Sequence, residues 1–303
     1  MKIGLFFEDL GSADEAVRVA VAAEHDGFDA VWIAQIFRID ALTGIALAGK
    51  ETARIELATG VVPVYPRHPH ALAQQAATVQ SACGGRFVLG LGVSHELVVE
   101  GIWGLSYDKP ARYMREYLSV VRPLLTEGNV AFSGEVFRVS AGLQIDNVPP
   151  TPIVIAALAP AMLRIAGEFA DGTVTWMTGV KTIETHVAPR IRAAAKAAGR
   201  PEPRICVGLP IAVTDDAPGA RARAAQLFQV YGLLPNYRRM LDREGAEGPA
   251  DVAIVGNERD VEQRLRALAA AGATDFAARI FPGDDKDSLP RTRELLKGLV
   301  GKL

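Results

Sequence analysis

Short apolar runs alternate along this chain with longer, alanine-rich stretches of helical period. Lys2–Phe7 is the first apolar run, and Ser12–Asp26 follows as a helix. Ser12 with Glu15 makes a capping-box pattern at the helix start, and Gly27 supplies the stop. The same alternation predicts strand Ala30–Ala34 and helix Ile39–Lys50, strand Ile55–Val62 and helix His70–Ala82, then strand Arg86–Leu91. In Pro110–Leu125, Met114, Tyr117, Leu118, Val121, Leu124 and Leu125 share one helical face. Strand Pro152–Leu158 with helix Pro160–Ala170, strand Thr173–Met177 with helix 181–198, and strand Ile205–Val213 continue the series. Helix Asn257–Ala271, strand Asp275–Ile280 and helix Ser288–Leu299 complete it.

Three joints resemble one another: Glu24-His-Asp-Gly-Phe-Asp-Ala-Val, Phe169-Ala-Asp-Gly-Thr-Val and Ala271-Gly-Ala-Thr-Asp-Phe. Each leads from a helix through glycine into a buried strand, as a repeated β/α unit requires. Eight such units predict an α/β fold, a closed (β/α)8 TIM barrel, with an open doubly wound sheet as the alternative. Two stretches interrupt the alternation. Gly128–Ser140 reads as a hairpin inserted before strand 5, and Asp215–Gly256 as a helical insertion after strand 7. Neither has linker composition, so residues 1–303 are expected to form a single domain.

Composition narrows the classes of function. With 49% hydrophobic residues among 303, a large core forms without metal or disulfides. Cys83 and Cys206 are expected to be buried thiols in a reducing compartment. The formal charge of −2, with both signs interspersed, argues against nucleic acid or an anionic membrane as partner. Met1–Phe7 runs directly into Glu8 and Asp9, too short an apolar stretch for a signal peptide, so a soluble cytoplasmic protein is expected.

Barrel chemistry sits at the C-terminal ends of the strands. Those tips are Phe7-Glu8-Asp9, Ala34-Gln35, Thr59-Gly60-Val61, Gly90-Leu-Gly-Val-Ser-His95, Ala156-Ala-Leu-Ala-Pro160 and Trp176-Met-Thr-Gly179, with Ala212 and Ile280. Gly90-x-Gly92 lacks the third glycine of a dinucleotide fingerprint, because His95 stands there. His68, His70 and His95 have no carboxylate partner at metal-ligand spacing, and no metal site is expected. Pro160 opens a helix whose first amides point back to the barrel mouth, where they suit an anionic phosphate. Thr178 and Gly179 at the next tip extend this into a phosphate cradle.

Several blocks are similar to the luciferase-like monooxygenase superfamily. These are Thr59-Gly-Val-Val-Pro, Arg67-His-Pro-His-Ala-Leu-Ala-Gln-Gln-Ala-Ala-Thr-Val-Gln and Gly84-Gly-Arg-Phe-Val-Leu-Gly-Leu-Gly-Val-Ser. The similarity continues through Ala156-Ala-Leu-Ala-Pro-Ala-Met-Leu-Arg-Ile-Ala-Gly-Glu-Phe-Ala-Asp-Gly to Ala271-Gly-Ala-Thr-Asp-Phe. Tyr107-Asp-Lys-Pro-Ala-Arg, Leu209-Pro-Ile-Ala-Val-Thr-Asp-Asp and Leu241-Asp-Arg-Glu-Gly resemble F420-dependent oxidoreductases of that group. The resemblance implies coenzyme F420, with FMN as alternative, a small-molecule substrate, hydride transfer at the barrel mouth and a homodimer. It implies a non-proline cis peptide at Gly60-Val61 against the cofactor ring, with Val93, Ser94 and His95 at the ring edge. The phosphate would fall to Leu158, Ala159, Pro160 and Ala161 with Thr178 and Gly179, and Gln35 and Ala156 would adjoin the cofactor.

This sequence departs from the pattern at two places. Leu158 and Ala159 replace glycines, and Gln35-Ile36 replaces an acidic-His pair. Glu8 and His95 are therefore the catalytic candidates, and Arg67, Trp103 and Tyr107 the candidates for the substrate pocket. Two other readings keep the fold: an FMN-dependent monooxygenase consuming reduced flavin and oxygen, and a non-catalytic flavin-binding barrel. A phosphosugar isomerase is a third.

Overall fold

The structure, a computed structural model, describes residues 1–145, 148–283 and 287–303. In chain order its strands are β1 (Lys2–Phe7), β2 (Ala30–Ile33), β3 (Glu56–Thr59), β4 (Val62–Pro63), β5 (Phe87–Gly92), β6 (Asn129–Ser133) and β7 (Arg138–Gly142). They continue with β8 (Ile153–Ala156), β9 (Gly172–Trp176), β10 (Arg204–Val213), β11 (Ile254–Gly256) and β12 (Asp275–Ile280). Parallel pairing runs β10-β12-β1-β2-β3-β5-β8-β9 and returns from β9 to β10, which closes the expected eight-stranded barrel and excludes the open sheet. Helices cover the outside. Among the described residues no helix is long and apolar enough to cross a membrane.

Side-chain size explains how the barrel closes. Its interior holds Phe6, Trp32, Val88, Val154, Val174 and Cys206 together with Ala30, Ala34, Ala58 and Ala277. The fully buried Trp32 ring occupies the space that those alanines leave. A second, larger apolar layer fills the gap between strands and helices. At the bottom of the barrel Arg204 reaches across to Glu56 at 2.7 Å and also pairs with Asp275. Burial opposes the charge on Arg204, but its bonds to Asp275 and Glu56 outweigh that and hold it protonated. The mouth at the other end stays open.

The repeated joints have a shared device. The Asp29 carboxylate accepts the amide of Ile3, and that of Asp171 accepts the amide of Ile153, each at 2.8 Å. Each carboxylate thus satisfies an amide at the start of the neighbouring strand. Gly27 and Gly272 turn with φ of +85° and +106°, which only glycine adopts freely. At the first helix Ser12 Oγ accepts the amide of Glu15, while the Glu15 carboxylate accepts the amide of Gly11, one residue ahead of the expected box partner.

Four local features differ from the sequence expectation. Strand Ile55–Val62 is broken: β3 ends at Thr59, Gly60-Val61 is a cis peptide, and β4 resumes the ladder against β5. The hairpin is present as antiparallel β6 and β7 but extends to Gly142. The insertion after β10 is helical at Ala217–Leu227, Gln229–Leu233, Pro235–Glu244 and Pro249–Val252, yet it ends in β11, which lengthens the sheet beside β10. Finally, the helical segment after β9 widens to a π-turn at Ile183–Val187 before Ala188–Ala197. Cys83 and Cys206 are free and buried as expected, and burial pushes the Cys83 thiol up to about 11.

Candidate active site

Two connected cavities occupy the barrel mouth, one of about 380 Å³ over the barrel axis and one of about 1000 Å³ beside it. They share Val61, Gly92, Ser94, His95, Ala156 and Leu158. The tips of β3, β5 and β8 thus border both cavities, as do Leu97, Leu234 and Tyr237. On the floor of the smaller cavity the rings of Phe6 and Trp176 stack with centroids 5.2 Å apart and planes 21° from parallel. Trp176 Nε1 is buried there without a hydrogen-bond partner. A Cβ on Gly60 would lie 2.7 Å from the Phe6 ring, and one on Gly92 would lie 2.6 Å from Val61 Cγ2. Both glycines are needed so that the cis Gly60-Val61 segment can lie against the floor.

Both catalytic candidates line this smaller cavity. Glu8 Oε1 accepts from Arg279 Nε at 3.1 Å, and Glu8 Oε2 accepts from the Tyr231 hydroxyl at 3.2 Å. Arg279 also reaches Asp9. Tyr231 comes from the insertion after β10, and its ring packs edge-on against both Trp176 and Tyr237. Burial pushes the hydroxyls of Tyr231 and Tyr237 well up, so they remain protonated donors. His95 sits 5.6 Å from the Tyr237 ring, and burial lowers its pKa, which keeps the imidazole neutral near pH 7. The preceding Ser94 has φ of +60°, an uncommon conformation for a residue other than glycine and one that concentrates at functional loops.

Most cofactor candidates line the cavities. Gly60, Val61, Ser94, Ala156, Leu158 and Gln35 border the smaller one, and Val93, Ala159 and Ala161 the larger. Gln35 Oε1 accepts the amide of Ala41. Helix Pro160–Phe169 has no side-chain cap; its first in-helix bond at this end is Leu163 N to Ala159 O, so the amides of Ala161 and Met162 point free beside the cavity. Pro160 lies outside the lining and has no N–H to give.

The other half of the expected cradle is already filled. Glu244 accepts the amides of Lys181 and Thr182 at 3.1 and 2.8 Å and the Thr182 hydroxyl at 2.7 Å. A Cβ on Gly179 would meet its carboxyl at 2.4 Å, and the buried Thr178 turns its hydroxyl to Trp176 O at 3.1 Å. Thr178 and Gly179 line neither cavity. The Arg67 guanidinium pairs with Asp40, and Arg67 lines neither cavity. Trp103 borders the smaller cavity. Tyr107 borders the larger and donates to Ser94 O at 3.2 Å. Phe6, Tyr231, Tyr237 and Arg279 carry no motif in the sequence. Glu8 and Tyr231 are 223 positions apart, and only the strand-tip rule and the aromatic content of the insertion hinted at their meeting.

The model of the luciferase-like monooxygenase family matches residues 3–293. The chain belongs to that family. Among its relatives is a putative coenzyme F420-dependent oxidoreductase of Mycobacterium tuberculosis, 30% identical over 94% of this chain and 86% of the relative. Another is an F420-dependent glucose-6-phosphate dehydrogenase of Nakamurella multipartita, 31% identical over 82% of this chain and 76% of its own. In solved structures the luciferase-like fold recurs in the coenzyme F420-dependent tetrahydromethanopterin reductase of Methanopyrus kandleri, with TM-score 0.82 at 21% identity over 100% and 98% of the two chains. It recurs also in the oxygenating constituent of a diketocamphane monooxygenase of Pseudomonas putida in complex with FMN, with TM-score 0.77 at 17% identity over 99% and 96%.

Proposed function

We propose that this luciferase-like chain is an oxidoreductase that binds coenzyme F420 and transfers a hydride between it and a small organic substrate at the barrel mouth. The observation that carries the reading is the shape of the floor. Stacked Phe6 and Trp176, the Gly60-Val61 segment and the bare Gly92 leave a flat, apolar slot that suits a tricyclic ring. The uncapped helix at Pro160–Phe169 offers its amides to a phosphate at the end of the larger cavity. The F420 dependence of relatives at 30% and 31% identity supports the choice of cofactor.

The bound coenzyme supplies the hydride chemistry. The chain's part is position and protons. Val61 and Gly92 fix the depth of the slot, and Ser94 turns the β5 tip over its edge. Neutral His95 accepts or donates a proton at the substrate, since its lowered pKa leaves it uncharged at physiological pH. Arg279 and Tyr231 hold the Glu8 carboxylate in one orientation toward the same space. We place the whole activity in one domain, residues 1–303, working as a cytoplasmic homodimer.

Titrating the purified protein with F420 and with FMN tests the cofactor. Tight F420 binding and weak FMN binding are expected. Micromolar FMN binding without F420 binding would transfer the chain to the monooxygenase reading, which its FMN-bound structural neighbour favours. Oxidation of reduced F420 by any organic acceptor would exclude a non-catalytic barrel.

A further inference from the structure

Within the F420 reading, on which this inference rests, we propose that the substrate is a neutral, largely apolar molecule. A cyclic or aromatic enone or ketone fits; a phosphorylated sugar or a carboxylate does not. Charge is the first reason. Glu8 and His95 are the acid and the imidazole of the smaller cavity, and among the described residues no Lys or Arg lines it. The Arg279 guanidinium behind Glu8 is engaged by Glu8 and Asp9. An anion entering here meets a carboxylate and no free cation. Among the described residues the one guanidinium that borders the mouth, Arg239, lines the larger cavity together with Glu96 and Glu100, so it adds no cation to the substrate end.

The rim supplies the second reason. Phe37 is 66% exposed, Leu97 73% and Val230 54%, and all three border the smaller cavity. They come from three separate segments: the loop after β2, the short helix Glu96–Val99 after β5, and helix Gln229–Leu233 in the insertion after β10. Large apolar side chains that project from independent segments and converge on one opening mark a surface that apolar material covers. Trp103 extends this wall inward.

For an enone the step balances without a further reagent. The reduced deazaflavin, when bound, would supply the hydride for a new C–H bond at the β-carbon and be oxidised by two electrons. The C=C pair would shift to the bond between the α-carbon and the carbonyl carbon as the C=O pair moves to oxygen, and a proton delivered to the α-carbon by His95 or water would give the saturated ketone.

The test has one arm that needs no coenzyme. Trp103 and Trp176 face the cavity, so ligand binding to the purified protein is read by quenching of tryptophan fluorescence. Cyclohexanone and its 4-methyl, 4-ethyl and 4-propyl homologues should bind progressively tighter, by about fourfold per added methylene. Glucose 6-phosphate and cyclohexanecarboxylate should bind weaker than the parent ketone by on the order of a hundredfold. The double variant L97S/V230S changes only exposed side chains and should flatten the series. An anion that binds as well as cyclohexanone, or a slope that survives in L97S/V230S, overturns the proposal.

The second arm repeats the comparison as oxidation of reduced F420 by the matching enones and by the anions. Coenzyme binding is measured separately. Absence of F420 binding refutes the cofactor reading, whereas F420 binding with preferred turnover of an anion refutes the substrate class.

Discussion

His186 offers a prediction whose size changes with pH. It is 1% exposed, and its Nε2–H donates to Leu158 O at 2.7 Å, the carbonyl at the tip of the β8 turn. The π-turn at Ile183–Val187 brings the ring there. Its Nδ1 is buried and unpaired. Burial is the largest influence lowering its pKa, and the nearby Arg243 and Arg190 add to it. Replacing His186 by Leu removes one hydrogen bond and one unpaired acceptor. Each is worth about 1–3 kcal/mol with opposite sign, so stability near neutral pH should change by less than about 1 kcal/mol.

In acid the two proteins should part. The unfolded chain takes up a proton at His186 around pH 6.5, while the folded chain resists it, so acid favours unfolding. The stabilisation is full above that pH and is lost as pH falls from there toward the folded-state pKa. From about pH 7.5 to about pH 5.5 the loss reaches about 1.4 kcal/mol where the folded imidazole stays neutral throughout. Urea unfolding of both proteins at the two pH values cancels every other titrating group. His186→Leu should lose less stability in acid than the parent, by up to that amount. A difference between parent and variant that does not change with pH refutes the burial argument.

The other predictions concern the floor, the capped helix and the barrel bottom. Gly92→Ala pushes a methyl against Val61 and should cost about 1–3 kcal/mol of stability while weakening F420 binding in a titration. Glu244→Ala strips an anionic cap from Lys181 and Thr182 and should cost about 2–4 kcal/mol by urea unfolding. Arg204→Ala leaves the Asp275 carboxylate buried without its cation and should cost about 3–5 kcal/mol; a loss under about 1 kcal/mol would refute the cross-barrel pairing. Tyr231→Phe should lower kcat more than it raises KM, because it frees Glu8 without altering the cavity wall.

The barrel was legible because its signals are local and repeated. Short apolar runs give way to stretches of period 3.6 and return at glycine joints, and each unit repeats the same problem of reversing the chain over the bottom of the barrel. The break after Thr59 escaped the pattern, because Val61, Val62 and Pro63 continue an apolar run whose hydropathy is blind to a cis bond. It was legible only through the resemblance. Strand β11 escaped for a related reason: three residues at the end of a long helical stretch are too few to show a period, and pairing with the far end of β10 decides their conformation.

The site was legible as a set of loops and less so as a set of contacts. The strand-tip rule places Glu8, Gln35, Gly60 and His95 at one mouth because topology alone fixes that. It does not say which group answers a free helix end. At Lys181 and Thr182 the amides do bind an anion, as helix electrostatics demands, but the anion is Glu244, supplied by the insertion 62 positions away from Thr182. Glu244 thus occupies the amides of the turn to which the sequence assigns part of a phosphate site. Helix Pro160–Phe169 differs in having no side-chain cap. Leu158 before it is tied down by His186, and Ala161 and Met162 face the open cavity. The insertion thus acts on both halves of the mouth. Glu244 closes one anion site, while Tyr231 orients Glu8 and Val230 extends the apolar rim. Of these side chains only Glu244 lies in a block that resembles the F420-dependent oxidoreductases, Leu241-Asp-Arg-Glu-Gly; Val230 and Tyr231 lie in none.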